Sequence, residues 1–123
     1  MGLDMFAYSV NPENGSDKGD LEYAEGERNE IAYWRKFNAF HGWMEELYKS
    51  KGGTDSFNCV PVRLTLEDLD RLEDELPELK PVAGFFFGGK EIYPEDMDSL
   101  RLFIADARYI IKSGNMVYYN SWW

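Results

Sequence analysis

Residues 30–49 read Glu30-Ile31-Ala32-Tyr33-Trp34-Arg35-Lys36-Phe37-Asn38-Ala39-Phe40-His41-Gly42-Trp43-Met44-Glu45-Glu46-Leu47-Tyr48-Lys49. Tyr33, Trp34, Phe37, Phe40, Met44 and Leu47 return at intervals of three and four, the spacing of an apolar helix face. Trp43 widens that face. Lys49 suits the negative end of a helix dipole, and Gly52-Gly53 supplies a stop. The spacing predicts one helix from Glu30 to Lys49.

Outward from that helix the chain divides readily. Before it, Leu3 to Val10 alternates side chains in a β-prone stretch and reads as an opening strand. Asn11-Pro12-Glu13-Asn14-Gly15 breaks the strand, and the polar run that follows predicts an exposed acidic loop over residues 11–29. After it, Phe57 to Leu64 reads as extended, with Pro61 pushing it toward a sheet edge. Thr65 can cap a second helix, with Asp68 three residues on approximating a capping box. Leu66, Leu69, Leu72 and Leu76 form its stripe, and Pro77 ends it. Val82 to Gly88 fits either a buried strand or a tight aromatic loop.

Pro94, followed by Glu95 and Asp96, marks the start of a third helix. Met97, Leu100, Ile104, Ala107 and Ile111 line one side of it, and Lys112 and Gly114 close it. Met116 to Trp123 finishes as an aromatic β segment. The predicted class is therefore α+β, with about three helices packed on a small, mostly antiparallel sheet. The 123 residues are expected to form a single domain, since about 100–150 residues is the commonest domain size.

Composition narrows the chemistry. Twenty-three acids against 13 bases give a net charge of −10, which opposes phosphate backbones and disfavours direct nucleic-acid binding. The acids gather in two runs, Glu13 to Glu30 and Glu67 to Glu78. With one cysteine and one histidine, the chain cannot build a zinc site from Cys and His ligands, and no disulfide can form within it. Cys59 precedes Val60-Pro61-Val62, an apolar context that predicts a buried thiol. No stretch approaches the roughly 18 apolar residues of a membrane span, and no signal peptide is expected.

Gly84-Phe85-Phe86-Phe87-Gly88-Gly89-Lys90 imitates the spacing of a phosphate-binding loop, but Glu91 stands where Ser or Thr should hold magnesium. Asp17 and Asp20 lie in a loop without the twelfth-position glutamate of an EF-hand. No metal, cofactor or catalytic residue is assigned.

One constellation stands out within the predicted first helix. Trp34, Asn38 and His41 fall on one side at helical spacing, with Arg35 beside them. A polar seam in an aromatic helix is costly unless each group finds a partner. Either the seam bonds structurally beneath the loop, or Arg35, Asn38 and His41 form a small pocket. Asp4 on the opening strand is placed to reach Arg35, with the opening strand and the tail pairing near this helix. The ligand-binding candidates are thus Arg35, Asn38, His41, Trp34 and Asp4.

Met1-Gly2-Leu3-Asp4-Met5, Tyr33-Trp34-Arg35-Lys36 with Asn38, His41 and Trp43, Gly84-Phe85-Phe86-Phe87-Gly88, and Tyr118-Tyr119-Asn120-Ser121-Trp122 together resemble a family of small uncharacterised bacteriophage proteins. The resemblance touches both ends and the middle of the chain. It implies an origin and a compartment, the cytoplasm of an infected bacterial host, and supplies no mechanism. Together with the acidic surface it favours an accessory protein that binds a host or phage protein. The rival expectation is a small-ligand binding or hydrolytic protein using the Arg35, Asn38 and His41 seam.

Overall fold

A computed structural model describes residues 2–79 and 93–123. The elements run β1 (Asp4–Pro12), a 3₁₀ turn (Glu13–Gly15), β2 (Gly26–Arg35), α1 (Asn38–Ser50) and β3 (Val62–Leu64). Then come α2 (Leu66–Glu75), a second 3₁₀ turn (Leu76–Glu78), α3 (Pro94–Lys112) and β4 (Met116–Trp122). The sheet order is β2-β1-β4-β3, and every neighbouring pair is antiparallel. Three helices pack on this four-stranded sheet, an α+β fold. The expected strand or loop at Val82 to Gly88 and the phosphate-loop spacing at Gly84 to Lys90 lie outside the described residues.

The predicted helix from Glu30 to Lys49 is two elements. Residues 30–35 belong to β2, and the helix begins only at Asn38. Tyr33 and Trp34 fit a helical stripe, but they also fit a strand that sends neighbours to opposite faces. Pairing with β1 decides between them. Met5 stands opposite Trp34 and Phe6 opposite Tyr33, and the Lys36 N–H donates to the Leu3 carbonyl at 2.9 Å. Trp34 is 4% exposed and Tyr33 48%, the alternation of a strand. Lys36, with φ 57°, then turns the chain into α1.

The 11–29 loop is also smaller and better held than expected. Asn11 and Pro12 extend β1 and residues 26–29 open β2. The remainder folds back over the sheet, burying Ala24 and half-burying Tyr23. Of the extended segment predicted at Phe57 to Leu64, only Val62–Leu64 pairs, at the sheet edge. Cys59 is exposed, contrary to the expected buried thiol. Its backbone takes φ 60° while Phe57 and Val62 occupy the core positions on either side.

The remaining helices follow their signals. Thr65 and Asp68 form a complete capping box on α2. Pro94 opens α3, and Gly114, at φ 98°, lets the chain leave it with N–H bonds back to the last turn. Leu69 and Leu72 of α2 and Leu100, Phe103 and Ile104 of α3 are buried against the sheet. At the centre Trp34, Phe40, Phe103 and Tyr119 meet mostly edge to face. Ring centroids lie 5.1 Å apart for Trp34–Phe40 and Trp34–Phe103, and 5.4 Å for Phe40–Tyr119.

Candidate functional site

Strand alternation divides the expected seam between two sides of the sheet. Trp34 points into the core, where its indole N–H donates to Ser99 Oγ at 3.1 Å. Asn38 and His41 are buried in the first turn of α1. His41 Nδ1 lies 2.6 Å from the Tyr119 hydroxyl, and the imidazole stacks on Phe57 at 4.9 Å. Burial lowers its pKa to about 4, so the ring is neutral at physiological pH.

Arg35, the next residue along from Trp34, emerges exposed on the opposite face. Arg35, Asn38 and His41 therefore do not line a common pocket. Asp4, expected to reach Arg35, does face it as its register partner across two strands, but its carboxylate bonds elsewhere. The Tyr33 hydroxyl donates to Asp4 Oδ1 at 2.6 Å, which raises the Tyr33 pKa above its ordinary value.

The structure instead brings Asp4 and Arg35 together with residues the sequence reading did not select. On the sheet face away from the helices, side chains form rows across β2, β1 and β4. Arg35, Asp4 and Trp122 make the first row; Tyr33, Phe6 and Asn120 make the second. Glu30, Tyr8 and Tyr118 form the third, and Arg28, Val10 and Met116 the fourth. Ile31 is the extra residue of a β-bulge, so even-numbered Glu30 and Arg28 share this face with odd-numbered Tyr33 and Arg35.

The rings on this outer face touch one another. Phe6 lies 5.2 Å from Tyr33 and 6.0 Å from Tyr8, and Tyr23 lies 5.0 Å from Tyr118. The Arg28 guanidinium sits 4.2 Å from the centre of the Tyr23 ring.

Cover separates the rows. The 16–25 segment lies over the third and fourth. The Ala24 N–H donates to the Tyr118 hydroxyl at 3.1 Å, and Arg63 on β3 binds Asp17 at 3.2 Å. Asn120 donates to the Tyr23 hydroxyl at 2.8 Å, at the boundary. The first two rows keep large exposed rings, Tyr33 at 48% and Trp122 at 68%. Beside them Gly2, Asp4, Trp122 and Trp123 line a cavity of about 230 Å³.

A signal for this face existed in the sequence. Asp4-Met5-Phe6-Ala7-Tyr8 carries bulky apolar side chains at both parities, and so does Met116-Val117-Tyr118-Tyr119. A strand with one wet face would alternate apolar with polar.

Among the described residues, no group of three or more His, Cys, Asp or Glu side chains is placed to hold a metal ion. No described helix is long and apolar enough to cross a membrane. No family model, curated protein or solved structure matches the chain.

Proposed function

We propose that this chain is an accessory protein that acts by binding another protein, and that the first two rows of the outer sheet face are its contact surface. The observation that carries this reading is the pair of exposed rings Tyr33 and Trp122 beside exposed Arg35, with Phe6 half-buried against Tyr33. Exposed Tyr, Trp and Arg side chains grouped on a rigid sheet are the residue types that dominate protein–protein binding energy. They bring large contact area at little conformational cost. The separation of Asn38 and His41 from Arg35 weighs against the rival reading of a pocket built on those three residues.

The resemblance to small bacteriophage proteins supports the cytoplasm of an infected bacterium as the place of action and a host or phage protein as partner. The net charge of −10 weighs against nucleic acid as that partner.

Photo-crosslinking tests the surface. Benzoylphenylalanine at position 33 should give a discrete protein adduct in infected-cell extract, whereas the same probe at exposed Tyr109 on α3 should give none. The adduct should disappear when Trp122→Ala is added. An adduct from position 109 alone, or one from position 33 indifferent to Trp122→Ala, would sink the reading.

A further inference from the structure

The cations of the chain reveal what the outer face is built to meet. Lys18, Lys51, Arg63, Arg71, Arg101 and Arg108 each have a carboxylate within ion-pair distance. Arg28 rests on the Tyr8 and Tyr23 rings. Lys49 and Lys112 occupy the last turns of α1 and α3, where the helix dipole compensates them. Among the described residues this leaves Arg35 and Lys36 with no such compensation, in a chain of 23 acids.

Three details make that pair more than a remainder. Asp4, the carboxylate facing Arg35 across the strands, is engaged by the Tyr33 hydroxyl. The two cationic side chains converge on one spot. A Cβ built on Gly2 would lie 3.3 Å from Arg35 Nη2 and 3.4 Å from Lys36 Cε. Lys36 also holds a left-handed backbone at φ 57°, where Gly or Asn would fit with less strain. Two like charges brought together repel one another, Asp4 opposite them already accepts from Tyr33, and a further anion relieves that repulsion.

Resting on the reading of the outer face as a docking surface, we propose that its partner presents an acidic segment. One Asp or Glu carboxylate is held by Arg35 and Lys36 beside Gly2, and an adjacent apolar side chain packs on Trp122 and Phe6. Arginine offers a carboxylate two parallel N–H donors, and Lys36 adds a point charge. Charge complementarity picks a single carboxylate over a nucleic-acid strand. A polyphosphate needs a track of cations, and beyond this corner the surface is acidic.

Selection from a displayed library of random twelve-residue peptides tests the proposal. Peptides retained by the wild-type chain should carry Asp or Glu next to Phe, Trp, Tyr or Leu. The best of them should bind at least about tenfold more weakly to Arg35→Glu/Lys36→Glu, and should weaken as salt rises. Lys36→Gly provides a variant whose fold is not in question, because glycine suits φ 57°. It should unfold no earlier than wild type and still bind the peptide less well.

Selected peptides without acidic enrichment, or acidic peptides that ignore the double reversal, overturn the proposal. So does tighter binding of a fluorescent oligo-dT that is lost in the double reversal. The two levels remain separable. A position-33 adduct that survives the double reversal keeps the docking face and removes the acidic segment. The absence of that adduct removes both.

Discussion

The two faces of one sheet use the same residue types to opposite ends. On the inner face Trp34 and Tyr119 are closed over by the helices, meeting Phe40 of α1 and Phe103 of α3. On the outer face Tyr33 and Trp122 are equally aromatic and lie open, with Phe6 half-buried against Tyr33. Burial converts a ring into stability, at about 25 cal/mol per Å² of apolar surface removed from water. A ring left in water contributes little to folding and keeps that surface for a partner. Composition cannot tell the two apart; the placement of the helices does.

The comparison breaks most visibly under truncation. Phe40→Ala should cost about 3–5 kcal/mol, because Phe40 is fully buried among aromatic neighbours and the site cannot collapse around the hole. Tyr33→Ala on the outer face should cost below about 1 kcal/mol. Urea unfolding at neutral pH measures both. Equal losses would mean that something covers the outer face in the isolated chain.

Acid should act through the inner face. The pKa of His41 falls from 6.5 to about 4 on folding, because burial penalises the imidazolium. The unfolded chain therefore takes up a proton below pH 6.5 that the folded chain refuses. Stability from this group is complete above pH 6.5 and is lost progressively as pH falls toward about 4. The expected loss between pH 7 and pH 4.5 is about 2–3 kcal/mol. His41→Gln should flatten that window, while Tyr33→Phe should leave it unchanged. A wild-type curve with no slope there would show that His41 is protonated in the fold.

A finer contrast lies within the outer face itself, between its covered and open halves. Lys51 ties the cover down. Its ammonium donates to the Arg63 carbonyl and to Asp68 Oδ2, both at 2.6 Å, and pairs with Asp20 at 3.3 Å. It joins the 16–25 segment to β3 and to the capping box of α2. Lys51→Met strands Asp68, which is largely buried, and should cost about 2 kcal/mol. Hydrogen exchange should rise at the Ala24 amide, whose bond to Tyr118 depends on the cover. Unaltered protection at Ala24 would show that the ring contacts of Tyr23 hold the segment alone.

Elements closed by local chemistry were legible in the sequence. Thr65 with Asp68, Pro94 with Glu95, and Gly114 each act within one or two turns: α2 and α3 start, and α3 stops, where those residues say. The pairing of the opening strand with the tail was also anticipated, and it is antiparallel. Residues 30–35 were not legible, because Tyr33 and Trp34 fit helical and strand spacing alike. Their state is fixed by β1, almost thirty residues earlier. The error propagated to the site. Placing Arg35 on a helix with Asn38 and His41 made one seam of residues that belong to two elements, β2 and α1. Cys59 was misread for a related reason, since an apolar neighbourhood does not announce a left-handed backbone.

The smallest effect concerns Asp4, where the sequence anticipated an ion pair with Arg35 and the structure has a bond from Tyr33. The alternatives differ in magnitude and in signature. A buried Arg35 deprived of its carboxylate would make Asp4→Ala cost about 3–5 kcal/mol. Arg35 is exposed, so the expected loss is below about 1 kcal/mol. The signature lies in the phenol. The Asp4 hydrogen bond raises the Tyr33 pKa by favouring the protonated form, as does the nearby negative charge. Asp4→Ala should therefore bring the Tyr33 titration down toward its ordinary value of about 10, read by ultraviolet difference absorbance against Tyr33→Phe. By linkage, the stability this bond contributes is present below pH 10 and fades as pH rises through the folded-state pKa. A Tyr33 titration indifferent to Asp4→Ala would return the Asp4 carboxylate to Arg35. It would also leave Lys36 as the only uncompensated cation beside Gly2.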